Sequence, residues 1–298
     1  MPARPRPRPS RASDVTSERE AVDTAAGPAH AGAQRVDVRV RRAGAVAQAD
    51  DWLADEVPVA LVFNGISHAV MLATPLDLED FALGFGLTEG LLERPDELYD
   101  VEVVDDPAGL RVEMAVSSAC FARLKDKRRS MAGRTGCGLC GTESLDQVEP
   151  PLKALARSTA PLSPPAIAAA LREMPSHQAL QQRTGATHAA AWCSPDGRVR
   201  LVREDVGRHN ALDKLVGAMV EAREDPRDGF CCITSRASVE MVRKAVAAGI
   251  TALIAVSAPT ARAVETARRA GLALAGFARR DDLVLYADAD RFGPISLS

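Results

Sequence analysis

Aromatic residues are scarce in this chain, since Phe, Trp and Tyr together make up 4% of its 298 residues. No apolar run approaches the ~20 residues that a helix needs to cross a bilayer, so we predict no membrane partner. The chain also has no large excess of positive or of negative charge. The formal net charge of −3 at pH 7 excludes a general polycation, and we predict no nucleic-acid partner. The 46% of hydrophobic residues still supports a full core, which Ala, Val and Leu must fill.

The amino terminus lacks a targeting signal. Its first eleven residues hold four Arg and four Pro, with neither the apolar segment of a secretory signal nor the paired arginines of a twin-arginine signal. We therefore predict that residues 1–34 form a disordered tail and that residues 35–298 form the folded domain. A Pro-rich stretch places a lobe boundary near 150–165. Without a signal, the expected location is the cytoplasm.

Cysteine is sparse as well, and two of the six residues stand in one glycine-rich stretch, at Cys137 and Cys140. Four glycines lie within residues 133–141, and so many disfavour both helix and strand. The basic residues 125–129 and Arg134 precede the thiols. Because nearby cations favour the thiolate, which is the nucleophilic form, the pattern predicts a mobile loop that presents reactive sulfur.

Four functions fit a CxxC loop: half of a zinc site, a dithiol redox pair, a structural disulfide, or a covalent sulfur carrier. The sequence has no second CxxC, and none of its five histidines has Glu two residues later, so zinc is disfavoured. Gly138 and Gly141 argue against the helix that follows a thioredoxin-like pair. A cytosolic location disfavours a structural disulfide. The redox and sulfur-carrier functions remain open.

The rest of the chain alternates strand and helix patterns, which predicts an α/β fold with a largely central sheet. Among its local signals, Asn64-Gly65 predicts a hairpin between two strands within 57–73. Thr74-Pro75 predicts the N-cap of the helix that follows.

Three polar clusters are predicted to follow strands, at 203–210, 234–238 and 277–282. Ligands of α/β sheets bind where loops leave the strand ends, so the Arg, Ser and Thr residues there indicate a phosphate-rich ligand. Adjacent Arg279 and Arg280 suit bidentate phosphate contacts. Arg208 and His209 offer a second anion site at a helix N-terminus.

Each cluster also has a purely structural interpretation. In the first, Asp205 and Asn210 would satisfy backbone donors of a capped turn. In the second, Ser238 would be an N-cap beside a surface Glu240–Lys244 pair. The third would be a solvated hairpin tip. At this level both kinds of interpretation remain open.

Several long motifs occur in order, at residues 133–141, 204–214, 257–260 and 276–279, together with Asn64-Gly65 and Thr74-Pro75. In these motifs the chain resembles the FdhD/NarQ family, from about residue 36 to the carboxyl terminus. The resemblance implies a cytidine deaminase-like three-layer α/β fold with a mixed central sheet and without the zinc site of the deaminases.

The resemblance also implies a function. The chain would be a sulfurtransferase that accepts persulfide sulfur from an IscS-type cysteine desulfurase. It would pass that sulfur to the molybdenum or tungsten bis-pterin guanine dinucleotide cofactor, Mo-bis(molybdopterin guanine dinucleotide) in the molybdenum form, for formate dehydrogenase. Two other functions are open, a cofactor-binding chaperone that carries no sulfur and a dithiol redox enzyme. A homodimer is left open.

By motif position, Cys137 corresponds to the persulfide-bearing cysteine and Cys140 to its assistant. The residues that would contact the cofactor are Phe277, Ala278, Arg279, Arg280, Asp281 and Asp282. Many members of the family carry Gly or Pro where this chain has its two acids. Because carboxylates repel phosphate, Asp281 and Asp282 would oppose a phosphate ligand unless they face away from it.

Overall fold

The computed structural model of the chain describes residues 32–131, 152–156, 158 and 161–293, except for the side chains of 127–131. Residues 1–31 of the predicted tail lie outside the described residues, and the first strand begins at Ala33. Both loop cysteines, Cys137 and Cys140, also lie outside the described residues. The division into a tail and one domain stays a prediction.

The first part of the chain forms a hairpin and a four-stranded sheet. The hairpin pairs β1 (Ala33–Arg42) with β2 (Ala45–Ala54). The sheet has the order β4-β3-β6-β5, with β3 and β6 parallel and both outer pairs antiparallel. Its strands are β3 (Val57–Phe63), β4 (Ile66–Ala73), β5 (Leu98–Asp106) and β6 (Gly109–Val116). Helices α1 (Leu78–Thr88) and α2 (Ser118–Met131) pack on one face of this sheet.

The two local predictions for this part have different outcomes. The hairpin at Asn64-Gly65 is confirmed, and both residues have the positive φ, 44° and 77°, that a tight two-residue turn requires. The prediction that Thr74 is the N-cap is wrong, because α1 begins at Leu78 with Asp77 in the N-cap position. Thr74 is instead fully buried, and its hydroxyl accepts a hydrogen bond from the Val206 amide at 3.2 Å.

The second part of the chain forms a six-stranded sheet of order β12-β11-β10-β9-β7-β8. Its strands are β7 (His188–Cys193), β8 (Val199–Asp205), β9 (Phe230–Ile233), β10 (Ala252–Ala255), β11 (Ala273–Arg279) and β12 (Asp282–Ala287). Strands β8 to β11 run in one direction, while β7 and β12 run against them. The sheet is therefore mixed.

Helices cover both faces of this second sheet. They are α3 (Pro164–Glu173), α4 (Ala179–Thr184), α5 (Arg208–Glu221), α6 (Val239–Ala247) and α7 (Ala261–Ala270). Successive residues of the central strands point to opposite faces: Leu253 packs with the core under α5, α6 and α7, and Ile254 packs with the core that includes α3. Strands buried on both faces are typical of α/β proteins, and this fold class is confirmed. The likeness to cytidine deaminases stays a prediction.

The two sheets meet where α1 packs against α5. Two glycines allow this close approach, since a Cβ on Gly84 would overlap the Asp213 carbonyl oxygen and one on Gly217 would overlap the Asp80 carbonyl oxygen. Buried charges cross the same boundary. Lys214, which is fully buried, pairs with Asp205 at 2.7 Å and donates to the Thr74 carbonyl at 2.9 Å.

Candidate functional site

The three predicted polar clusters lie at one edge of the six-stranded sheet. Because β8, β9, β10 and β11 run in one direction, the segments after them leave at the same edge. Helices α5, α6 and α7 begin there too, after β8, β9 and β10. Helix N-termini carry partial positive charge and unpaired N–H groups, so the edge favours anions.

A cleft of about 700 Å³ opens at this edge. Four of the six residues predicted to contact the cofactor line it: Ala278, Arg279, Arg280 and Asp282. The other residues of its lining are Leu171, Met174, Pro175, Gln178, Thr234 and Val256. The structure thus brings the second and third clusters together in one concave surface.

The link between β11 and β12 has an unusual backbone that shapes this cleft. A bulge interrupts the pairing between Gly276 and Arg279, and Phe277 and Arg280 have φ values of 50° and 56°. Non-glycine residues in this conformation cost on the order of 1 kcal/mol or more, and such strain clusters at ligand sites. Phe277 is turned outward with 47% exposure, whereas Ala278 is buried. Phe277 lies beside the cleft, not in its lining.

Four polar side chains of the cleft have no partner in the described part of the chain. Arg279, Arg280, Asp282 and Gln178 make no side-chain hydrogen bond or ion pair with any residue that the structure describes. Asp281 differs, because it accepts a hydrogen bond from Arg172 at 3.2 Å. Asp281 is thus engaged by α3, whereas Asp282 lines the cleft.

In the first cluster, Asp205 and Asn210 have structural roles. Asp205 is fully buried and accepts hydrogen bonds from the Gly207 amide at 2.7 Å and the Asn210 side chain at 2.9 Å. Its second carboxylate oxygen accepts from the Thr74 amide at 3.0 Å and lies against Lys214. The capped-turn interpretation is confirmed for Asp205.

Two basic residues of the first cluster, Arg208 and His209, lie at the start of α5. Arg208 begins α5, and its buried Nε has no hydrogen-bond partner within the described ranges. His209 Nε2 lies 2.8 Å from a Glu240 carboxylate oxygen, without the angle of a hydrogen bond. Burial lowers the pKa of His209, and the Glu240 charge opposes that effect. Burial, followed by the charge of Arg208, lowers the pKa of His188 at the start of β7. Arg208 therefore adds positive charge beside His188.

The second cluster corrects one expectation. Ser238 caps α6 as predicted, accepting from the Met241 amide at 3.4 Å. The prediction of a surface pair between Glu240 and Lys244 is wrong, because Lys244 turns inward to Asp213 at 2.9 Å and Glu89 at 2.7 Å. The buried carboxylate of Asp213 attracts the ammonium more strongly than an exposed neighbour does, since water screens surface pairs.

Helix α2 leads toward the thiol stretch that holds Cys137 and Cys140 and is anchored at its start. Arg123 donates to the Leu91 carbonyl at 3.1 Å and pairs with the Glu97 carboxylate. The hydrogen bond from Arg123 lowers the pKa of Glu97 to about 2. This anchor ties α2 to the segment that leads from α1 to β5.

The other four cysteines, Cys120, Cys193, Cys231 and Cys232, are all buried. Burial raises the pKa of the Cys231 thiol far above its usual value. A hydrogen bond with Cys193, together with burial, does the same for Cys232. Buried thiols with raised pKa values are poor nucleophiles. Cys231 and Cys232 are therefore poor candidates for reactive sulfur chemistry.

In the part of the chain that the structure describes, no group of three or more His, Cys, Asp or Glu side chains could hold a metal ion. None of its helices is both long and apolar enough to span a membrane.

Sequence reasoning missed one wall of the cleft. Leu171 lies on α3, and Met174, Pro175 and Gln178 lie on or beside the short 3₁₀ helix Met174–His177. The Pro-rich stretch before them was interpreted as a linker. The missed signal was Ser163 followed by Pro164, an N-cap with proline at the first helical position.

Comparison with known proteins agrees with the motif analysis. The family model of the FdhD/NarQ family matches residues 54–293. A protein of Variovorax paradoxus named sulfur carrier protein FdhD is 61% identical over 236 residues, which cover 79% of this chain and 84% of the relative. A protein of the same name from Cupriavidus necator is 57% identical over 250 residues, 84% of this chain and 86% of the relative.

Among solved structures, the chain is similar to a protein of Desulfotalea psychrophila described as a formate dehydrogenase accessory protein. The TM-score is 0.69 at 23% identity, with 87% of this chain and 99% of the other covered. At this identity the likeness concerns the fold.

Proposed function

The chain belongs to the FdhD/NarQ family, and we propose that it is a sulfurtransferase serving formate dehydrogenase. It takes persulfide sulfur from a cysteine desulfurase and transfers it to the molybdenum or tungsten bis-pterin guanine dinucleotide cofactor, which is its cargo. The observation that supports this best is the strand-edge cleft, whose guanidinium groups, Arg279 and Arg280, are not used by the described part of the protein.

In the first step, the Cys137 thiolate attacks the outer sulfur of the desulfurase persulfide. A new S–S bond forms at Cys137, and the desulfurase cysteine leaves as a thiolate. Arg134 and the basic residues at 125–129 favour the Cys137 thiolate. The Cys140 thiolate then attacks the Cys137 sulfur, so that the persulfide S–S bond breaks, a Cys137–Cys140 disulfide forms and the outer sulfur leaves as hydrosulfide, which binds the metal of the cargo. A thiol reductant returns both cysteines to the reduced state.

The cargo carries two guanine nucleotide ends, and the cleft suits one of them. Arg279 and Arg280 grip diphosphate oxygens, since a guanidinium makes two parallel hydrogen bonds to such oxygens. The helix N-termini at the same edge favour the anion further. Outward-facing Phe277 offers a flat apolar surface beside the cleft for a ring of the cargo.

Mass spectrometry of the full chain after incubation with a cysteine desulfurase and cysteine tests the sulfur step. We expect one added sulfur atom on Cys137 in wild type and in Cys231→Ala, whose thiol is buried. Cys137→Ala should carry none and should not activate formate dehydrogenase. Cys140→Ala should impair activation to an equal or lesser degree. Full activation by Cys137→Ala would contradict the proposal and favour a cofactor chaperone that carries no sulfur.

Titration with GDP by calorimetry tests the cargo site, because GDP holds the guanine and diphosphate of one cofactor end. A charge-assisted hydrogen bond contributes roughly 1.5–3 kcal/mol, so Arg279→Ala should weaken GDP binding by roughly ten- to a hundredfold. Arg279→Lys should not restore it fully, since an ammonium cannot make the paired contact. Equal affinity of wild type and Arg279→Ala would move the site to Arg208 and His209.

A further inference from the structure

We propose that Thr234, His188 and Arg208 form a site for hydrosulfide, the small anion in which the transferred sulfur reaches the metal of the cargo. This inference rests on the proposed function, which releases hydrosulfide from Cys137, and it adds the side chains that receive the anion. His188 begins β7, Thr234 follows β9 and Arg208 begins α5. All three are half-buried, and Thr234 lines the cleft, so the site adjoins the space proposed for the cargo.

Arg208 supplies a positive charge that the described part of the chain does not balance. Its Nε is buried without a hydrogen-bond partner in the described ranges, and its guanidinium has no ion pair there. A buried donor without an acceptor is costly, and more so where the group is charged. Two acids at this edge are used elsewhere, since Asp205 pairs with Lys214 and Glu240 lies 2.8 Å from His209. The unpaired guanidinium therefore indicates an anion that binds from outside.

His188 lies between this charge and the cleft. The hydroxyl of Thr234, a residue of the cleft lining, is 3.5 Å from the His188 Nδ1 atom. Burial, and then the charge of Arg208, lowers the pKa of His188, so the imidazole lies close to the guanidinium and is neutral at pH 7. Asp205 pairs with His188 only through the backbone, because its carboxylate turns to Lys214. The surroundings of the imidazole are thus positive.

The charges and polar groups of the site match hydrosulfide in two respects. One cation beside a neutral imidazole balances a single negative charge, whereas a dianion such as sulfate needs a second cation. A neutral imidazole also has one acceptor nitrogen, which can accept the S–H hydrogen that hydrosulfide has and chloride lacks. The sulfur in turn accepts from the Nε–H group of Arg208. The diphosphate of the cargo remains with Arg279 and Arg280.

The test follows the imidazole NMR signals of His188 while the reduced full chain is titrated with sodium hydrosulfide at pH 8 without oxygen. The signals are identified by their loss in His188→Gln. We expect a saturable shift in wild type and an affinity for chloride that is roughly two- to tenfold weaker, because chloride lacks the S–H hydrogen bond. Arg208→Ala should weaken hydrosulfide binding by roughly ten- to a hundredfold, as expected for a charge-assisted hydrogen bond.

Matched variants separate the site from general charge effects and from loss of folding. Arg198→Ala removes an exposed arginine that pairs with Asp196 on the turn before β8, and it should leave hydrosulfide affinity unchanged. Arg279→Ala should leave it unchanged as well. Arg208→Lys keeps the charge without the Nε–H group and should bind with an affinity between those of wild type and Arg208→Ala. Arg208→Ala should keep the GDP affinity of wild type, which shows that the sheet edge is intact.

The outcomes distinguish this inference from the function it rests on. If hydrosulfide does not shift the His188 signals, or if wild type and Arg208→Ala bind it equally, the site is wrong, whereas sulfur on Cys137 would still support the carrier. Equal affinities for hydrosulfide and chloride would overturn the S–H contact, and loss of GDP binding in Arg208→Ala would assign the site to the nucleotide. If hydrosulfide binds as expected but Cys137→Ala activates formate dehydrogenase fully, the site stands and the carrier function is refuted.

Discussion

Removal of the Asp205 carboxylate should destabilise the protein more than any other single change at the sheet boundary. Asp205 and Lys214 are both fully buried and lie 2.7 Å apart. The same carboxylate also accepts from two backbone amides, those of Thr74 and Gly207, and from the Asn210 side chain. Asp205→Ala therefore leaves a buried ammonium whose remaining described partners are the Thr74 carbonyl and the Phe81 ring, and two backbone donors without acceptors.

The size of the expected loss of stability follows from these lost contacts. Breaking a buried ion pair by removing one partner costs roughly 3–5 kcal/mol, because the remaining charge is uncompensated. For a folded region of this size each kcal/mol shifts Tm by roughly 2–4 °C, so the expected loss is on the order of 10 °C. The assay is urea unfolding at pH 7 together with scanning calorimetry.

Two companion variants sharpen the test. The double variant Asp205→Asn with Lys214→Met removes both charges and should be more stable than Asp205→Ala, since no uncompensated charge stays buried. Asp225→Ala removes a carboxylate that pairs with Arg227 at 2.6 Å on the surface, and it should change stability little. A cost below about 1 kcal/mol for Asp205→Ala would refute the argument that this pair locks the boundary.

Two further predictions concern the tail and acid stability. A chain without residues 1–31 should keep its Tm and its activity, because the excluded segment is rich in Pro and Arg and cannot bury enough apolar surface to offset ordering; loss of either on truncation would contradict this. The cut falls before Gly32, whose carbonyl accepts from the Asp55 amide. Arg123 lowers the pKa of Glu97 to about 2 from 4.5, so this stabilisation is present above pH 4.5 and lost as the pH falls toward 2. Urea unfolding should show Glu97→Gln less stable than wild type at pH 7 and nearly equal to it near pH 2, and a difference independent of pH would contradict that assignment.

Local signals in the sequence predicted most of the second sheet, because its strands are short and apolar and each is bounded by turns or caps. Ser238 and Thr260 are true N-caps, and the helices begin directly after them. The errors arose where distant groups compete for the same side chain. Thr74 has the composition of a cap, yet it pairs with β8 residues more than a hundred positions away, such as Asp205. Lys244 has the spacing of a surface pair but is drawn to Asp213.

The sequence predicted only those residues of the candidate site that stand in a local pattern. Arg279 and Arg280 stood out because adjacent arginines on a turn are a local pattern. Gln178 carries no local pattern, and only the packing of the segment after α3 against the sheet edge places it in the cleft. The outward turn of Asp281 toward Arg172 likewise depends on a contact between the β11–β12 turn and α3. Such pairings become visible only in the folded chain.

The buried charges at the sheet boundary connect stability with the proposed chemistry. Helix α2, which leads toward Cys137, packs on the four-stranded sheet, whereas the cleft lies on the six-stranded sheet. The position of α2 relative to the cleft therefore depends on the contacts that join the two sheets. Those contacts are the glycine-mediated packing of α1 on α5, the Asp205–Lys214 pair and the Asp213–Lys244–Glu89 cluster. Ion pairs with hydrogen bonds of fixed direction define one arrangement more narrowly than apolar contacts do. The helix that precedes the thiols in the sequence and the cleft proposed to hold the cargo belong to different sheets, so the proposed sulfur transfer benefits from a boundary with one fixed geometry.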